Sequence, residues 1–375
     1  MEMIIQKAVL GDAVNMLSKV IEKKNALPAY GYILFNMGIN KLALTASNPE
    51  VTLTTYIDVI EKDSIEKLFC IPAYELVSAL FNIPDQPLTL QINFDVMCVT
   101  IKHEFGEFKF PIYDGNTYPS AQEQDYGEVI TLVGSEIRDA VKRSLFAVSD
   151  DPLRPVMNGI CFNYDNDILD IVGSDGHCLV RNRLQYDFSE TGQFIMPVSA
   201  AKLLNNVLNK SEDIYLRSNS RSVRMEIGSY IVIFRVLEGP YPRYNAVIPE
   251  HSDHIAVVSR KRLMDVIKSV TPFANGVSLL QLSFTKGSLL INAENLEFER
   301  SAFEELPVDY YEGADLKLGV KSMILYNILQ HLNSMDVKFS MNDPSRAIVI
   351  EPKDMPEDCE ITMMMMPMMI TENDD

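Results

Sequence analysis

No apolar run in the 375-residue sequence approaches the roughly 20 residues that a membrane-spanning helix needs, so nothing in it reads as a bilayer segment. The five cysteines, Cys70, Cys98, Cys161, Cys178 and Cys359, lie far apart with no CxxC pair. That spacing argues against a zinc site or a disulfide framework and leaves them as reduced thiols in or near cores. A glycine-rich phosphate loop is also missing, because NGVSLL and EGPYP lack the glycine spacing and the lysine of a nucleotide cradle. Positive charge is scarce: 33 Lys and Arg stand against 52 Asp and Glu, a formal charge of -19. A surface of that average sign repels nucleic acid, so any DNA contact must be local. The opening MEMIIQKAVLGDAVNML has no basic segment ahead of an apolar one, so no signal peptide is expected and the cytoplasm is the expected compartment.

What the sequence does contain is a repeat. Apolar residues at spacings of three and four mark helical segments at 7–24, 72–83, 134–148, 197–210, 258–274 and 320–334, whose starts recur every 61 to 65 residues. Between them lie stretches of alternating apolar residues such as LALTASNPEVTLTTYI and SVRMEIGSYIVIFRV, which read as antiparallel strands. A coarser period joins the units in pairs, because similar Pro-containing segments end at Pro119, Pro242 and Pro367. The expected fold is α+β: three similar domains at about 1–126, 127–250 and 251–375, each with two helices plus antiparallel sheets.

Charge follows the same division. The six helical segments together carry +8 and the rest of the chain carries -27. Basic helices beside acidic sheets can admit a duplex to one surface while repelling it elsewhere, which suits enclosing DNA better than gripping it. Two such chains closed head to tail would set twelve helices around a circumference of roughly 110–120 Å at ordinary helix spacing. That leaves a lumen of roughly 25 Å, wide enough for a duplex.

The repeat, the charge split and six local motifs resemble the bacterial DNA sliding clamp family, the beta subunits of DNA polymerase III. The motifs are RPVMNGICF at 154–162, GSDGHCLV at 173–180, FIMPVSAAKLL at 194–204, LEGPYPRYNAVIP at 237–249, NGVSLLQLSF at 275–284 and MMPMMI at 365–370. The resemblance covers the whole chain and implies a non-catalytic, ring-shaped homodimer with helices lining the lumen. Implied partners are encircled double-stranded DNA, and DNA polymerase, clamp loader and repair proteins held through short peptides. It implies a peptide pocket of Met157, Ser174, Gly176, His177, Leu179, Pro242, Val247, Met364, Met366, Pro367 and Met368. It also implies DNA-facing Lys23, Lys24, Arg143, Arg154, Lys202 and Lys268, and a dimer seam with Phe108, Phe110 and Phe273. The chain departs from the family's usual pattern where Cys178, Val198 and Met369 replace basic residues and where TENDD follows the last motif. Those replacements mark a divergent member whose partner binding rests more on apolar burial than on charge.

Two motifs invite other readings. Ser174, Asp175 and His177 hold the three groups of a hydrolytic triad within four residues, although neighbours on one turn rarely converge on a single point. The alternative is an Asp-Gly turn whose polar side chains bond local backbone. The run Met363 to Met366, with Met368 and Met369, resembles core filler, yet alternate residues of a strand face opposite ways, so some should line a second surface. His103, His251, His254 and His331 have no ligand spacing, so no metal or cofactor is expected. A hydrolase using Asp175 and His177, and a repeat scaffold without a DNA role, therefore stand as alternatives to the ring.

Overall fold

The computed structural model describes residues 1–22, 27–38, 41–62, 66–119, 124–208 and 212–370. Its six α-helices among these residues are α1 (Lys7–Leu17), α2 (Ala73–Phe81), α3 (Gly134–Leu145), α4 (Val198–Val207), α5 (Arg260–Val270) and α6 (Ser322–His331). The three-and-four spacing explains them. α1 buries Leu10, Ala13, Val14 and Leu17, and α5 buries Leu263, Val266, Ile267 and Val270, in each case one stripe of the helix. Pro72 and Pro197 stand at the N-caps of α2 and α4, where their fixed backbone angle and missing N–H cost nothing. The first helix stops at Leu17, short of the expected 24, and the remaining five fall inside the expected segments.

The chain forms two compact units, residues 1–138 with 196–236, and residues 139–195 with 237–375. The first holds a five-stranded sheet that ends at strand Gly106–Pro111, and a nine-stranded sheet. In the nine-stranded sheet, Val51–Ile57 pairs antiparallel with Tyr230–Arg235, so residues far apart in sequence share one ladder. The second unit holds another nine-stranded sheet, in which Cys178–Gln185 pairs with Cys359–Met365, and a four-stranded sheet that ends at strand Arg300–Pro307. Residues 127–250, expected as the middle domain, are thus shared between the units, because each half of that stretch extends a neighbour's sheet.

Each unit has an aromatic core. Phe35 stacks on Phe69 at 5.1 Å in the first, and Phe162 on Phe194 at 4.9 Å in the second. All but Phe194 are fully buried, and each such ring contributes about 1.5–3 kcal/mol through removal from water. In the second unit Asn182, wholly buried, donates from Nδ2 to the Ser144 hydroxyl at 2.9 Å and to the carbonyls of Ala140 and Ile171. These bonds tie the C-terminal half of α3 to the sheet. The approach is closest at Gly173, where an added Cβ would sit 2.4 Å from the Ser144 carbonyl oxygen.

Four of the five thiols are buried, while Cys98 is half-buried. Burial pushes Cys70 and Cys161 up to about 12 from an ordinary 9.0. A thiol whose folded value is raised favours folding below the unfolded value and loses that contribution as pH climbs toward the folded one. The melting temperature should therefore hold steady below pH 9 and fall between pH 9 and 12. At pH 8 iodoacetamide should label Cys98 first, with the other four reacting only in denaturant; mass spectrometry of the alkylated chain would show a different order if the buried thiols were reactive.

Candidate peptide-binding site

The second unit brings together the three stretches expected to form a pocket. The first is the turn after strand Ile168–Ser174. The Ser174 hydroxyl donates to the Cys178 carbonyl at 2.8 Å and accepts from the Gly176 amide. Asp175 Oδ1 accepts from the amides of His177 and Cys178 at 2.7 and 2.6 Å. Both side chains are thus engaged with local backbone, and no hydrogen bond among the described residues joins either to the His177 ring. The arrangement is an Asx-type turn that projects an exposed His177, and the geometry of a hydrolytic triad is not there.

Gly176 holds φ +89°, and a Cβ there would lie 3.1 Å from an Arg154 guanidinium nitrogen and 4.0 Å from the Met157 methyl. Arg154, expected on the DNA surface, therefore lies against the turn of the peptide site. Its Nε is 3.8 Å from Asp151, an exposed pair of little energetic weight.

The second stretch is the connector 237–249. Tyr241 and Tyr244 are buried in a cluster with Cys161, Val172, Leu179, Ile195, Val349 and Met364, while Pro242 and Val247 stay exposed. The third is the C-terminal strand. Met363, Met364 and Met365 are all buried, because both faces of strand Cys359–Met365 are covered, and exposure begins only at Met366. The chain then runs on through two backbone bonds, from the Met366 amide to the His177 carbonyl and from the Met368 amide to the Gly319 carbonyl, each 2.8 Å.

Of the expected pocket residues, Gly176, His177, Pro242, Val247 and Met366 are exposed, and Pro367 and Met368 are half-buried. Met157, Ser174, Leu179 and Met364 are buried beneath them. Burial pushes the Cys178 thiol well above its ordinary value, so this residue, standing where the resemblance implies a basic one, carries no charge near neutral pH. Met369 is 90% exposed.

The expected DNA-facing residues divide. Lys202 on α4 and Lys268 on α5 are exposed, the latter with its ammonium 5.3 Å from the Tyr326 ring. Lys23 and Lys24 lie outside the described residues. Arg143 departs from expectation: its Nε donates to Asn182 Oδ1 at 2.5 Å and its guanidinium reaches the Cys359 sulfur, so it braces α3 from within. Burial lowers its basicity. At the expected seam Phe273 is 40% exposed and Phe108 half-buried, but Phe110 is only 8% exposed and already belongs to the core of its own unit.

Sequence reading missed Asp170, Arg181, Arg183, Tyr244 and Asn245, a polar network behind the pocket. Its signal was present in CLVRNRLQ, where arginines at alternate positions share one face of a strand. A cavity of about 600 Å³ lies elsewhere, in the first unit, among Phe94, Met97, Tyr113, Lys67 and Asp114. Among the described residues, no three His, Cys, Asp or Glu side chains converge as metal ligands.

Comparison with known proteins bears on the chain as a whole. Family models for the N-terminal, central and C-terminal domains of the DNA polymerase III beta subunit match residues 1–122, 131–243 and 245–369. The chain is 23% identical over 369 residues to the beta sliding clamp of Pseudomonas aeruginosa, covering 97% of this chain and all of that one. It is 24% identical over 382 residues to that of Staphylococcus epidermidis, covering 98% and 99%. In fold it matches the P. aeruginosa sliding clamp bound to griselimycin with a TM-score of 0.92 at 22% identity, over 99% of this chain and all of that one. The beta subunit of Streptococcus pyogenes gives 0.93 at 18% with the same coverage.

Gly176→Ala should destabilise the protein by about 1–2 kcal/mol, since the new methyl group meets both a left-handed backbone and the Arg154 guanidinium. Thermal denaturation measures the loss, and an unchanged melting temperature would contradict the turn geometry.

Proposed function

The chain belongs to the DNA polymerase III beta subunit family, and from that membership we infer a sliding clamp: a three-domain protein that closes as a homodimeric ring around DNA and tethers a polymerase. The observation that carries the polymerase contact is the convergence of the 174–179 turn, the 242–247 connector and the 366–368 segment on one face of the second unit. In this reading the exposed members of that set, Gly176, His177, Pro242, Val247 and Met366, meet one apolar anchor of a short extended peptide, with Leu179 and Met364 as floor. Clamp loader and repair proteins use the same groove in turn.

The domains of this reading are 1–126, 127–250 and 251–375. Strands Gly106–Pro111 and Arg300–Pro307 are each outermost in their sheets. Head-to-tail closure would set one against the other in the partner, with Phe108 and Phe273 supplying apolar contact. Lys202 and Lys268, together with Lys23 and Lys24, supply weak sequence-independent phosphate contacts. Retention comes from enclosure, so those contacts need little affinity. The role is structural and has no turnover, which accords with Ser174 and Asp175 being committed to backbone. It belongs to the cytoplasm, where bacterial DNA is copied; no helix among the described residues is long and apolar enough to cross a membrane.

Two experiments test this. Truncation after Met365 keeps the buried strand whole, and it should leave the ring and its retention on circular DNA intact while abolishing stimulation of a polymerase; normal stimulation would remove the pocket assignment. Phe273→Asp should weaken the dimer by about 2 kcal/mol or more. Sedimentation at low micromolar concentration should then show monomers, and a persistent dimer would place the seam elsewhere.

A further inference from the structure

The three walls of the peptide site come from stretches that sequence holds far apart, and two arginines on one strand reach the other two. Arg181 and Arg183 follow Leu179 at alternate positions of strand Cys178–Gln185, so all three share a face. Arg183 sends two bonds to Asp170, from Nε to Oδ1 at 2.8 Å and from a terminal nitrogen to Oδ2 at 2.9 Å. Asp170 is 2% exposed and also accepts the Tyr244 hydroxyl at 2.9 Å. That hydroxyl in turn accepts from Asn163 Nδ2 at 3.1 Å. Arg181, 8% exposed, donates to Asn245 Oδ1 at 3.1 Å and to Thr362 Oγ1 at 3.2 Å, and it pairs with Glu360. Tyr244 and Asn245 lie between Pro242 and Val247, and Glu360 and Thr362 lie on the strand that leads into Met366–Met368.

Resting on the pocket reading above, we propose that Arg181 and Arg183 are positioning residues that fix the connector and the C-terminal strand against the 174–179 turn, and so set the width of the peptide groove. Neither needs to touch the ligand. Withdrawing a guanidinium from water is expensive unless it is paired, and both the buried Arg181 and the half-buried Arg183 are paired with carboxylates, although Arg181 Nε itself has no hydrogen-bond partner. Apolar contacts alone would hold Tyr244 in its cluster with latitude to slide. Charge-assisted bonds of fixed direction remove that latitude. Pro242 and Val247, exposed themselves, take their placement from this anchorage.

The mild variants are Tyr244→Phe, which deletes only a hydroxyl, and Asn245→Ala, which frees one Arg181 nitrogen at an exposed position. The probe is griselimycin, the molecule bound by the P. aeruginosa relative. Calorimetry on the full-length dimer should give affinities about three- to tenfold weaker for each variant, the span expected when one hydrogen bond of ordinary strength is removed. Hydrogen exchange should accelerate across residues 241–248 in both variants, with the dimer and its retention on circular DNA unchanged. A role confined to general stability would instead speed exchange throughout the unit. Unaltered affinity and unaltered local exchange in both variants, beside a wild type that binds, would overturn the proposal. A wild type that does not bind griselimycin would overturn the pocket reading, and the proposal would fall with it.

Discussion

Seven residue pairs, from Cys178 opposite Met365 to Leu184 opposite Cys359, join two strands that lie about half the chain apart. This ladder is the constraint on which the functional face depends. Closing so long a loop costs entropy that no local propensity recovers, so the contacts made on arrival must repay it. They do so on both faces of the sheet. Met364 enters the cluster around Tyr241 and Tyr244, while Met363 and Met365 are buried on the other side. The same register carries Met366 to the His177 carbonyl. A slip of one residue would turn the strand over and move Met364 out of the cluster, so register and groove are specified together.

The equivalent ladder in the first unit, Val51–Phe234 through Thr55–Tyr230, closes a comparably long loop. Both ladders explain why the sheets are larger than the repeat that encodes them. A helix-plus-strands unit of about 62 residues leaves a sheet edge, and an edge strand is a row of unsatisfied donors and acceptors until something pairs with it. Within the chain those edges are joined to form the nine-stranded sheets. The strands Gly106–Pro111 and Arg300–Pro307 remain outermost in their sheets and are the edges that the proposed ring would close.

Much of this was legible in the sequence, and the exceptions share a cause. Helical periodicity located α5 and α6 because burying Leu263, Val266, Ile267 and Val270 is the same statement as their spacing. Alternation found the strands for the same reason. Composition could not say which way a long side chain turns. Arg143 was counted among lumen cations, yet its stem and guanidinium pass inward to Asn182 and Cys359, since a buried amide and a sulfur there complete its bonding. Phe110 alternates correctly with Phe108, but the side that alternation assigns to it is already covered in its own unit. The methionine run divides, as expected, between buried and exposed members, but the division falls along the chain, Met363 to Met365 being buried on both faces of a central strand and Met366 and Met369 exposed beyond it. In each case a tertiary neighbour decided, and the neighbour lay too far along the chain for a local pattern to register.

In the proposed reading, energetics explain how a partner site can do without basic residues at Cys178 and Met369. An exposed ion pair is worth about 0–1 kcal/mol and is screened by salt. A leucine or phenylalanine anchor taken fully out of water is worth about 1.5–3 kcal/mol, and flanking apolar contacts add to it. A rim arginine can therefore disappear at small cost provided the floor survives. In the proposed reading the floor is Leu179 and Met364 on paired strands, held from behind by the buried Arg181 and the half-buried Arg183, each paired with a carboxylate. Methionine at Met366 and Met368 suits the rim of such a site, because an unbranched thioether adapts to anchors of different shape. In the proposed reading charge stands in the frame of the groove, at Arg181 and Arg183, where partial burial shields it from water and salt.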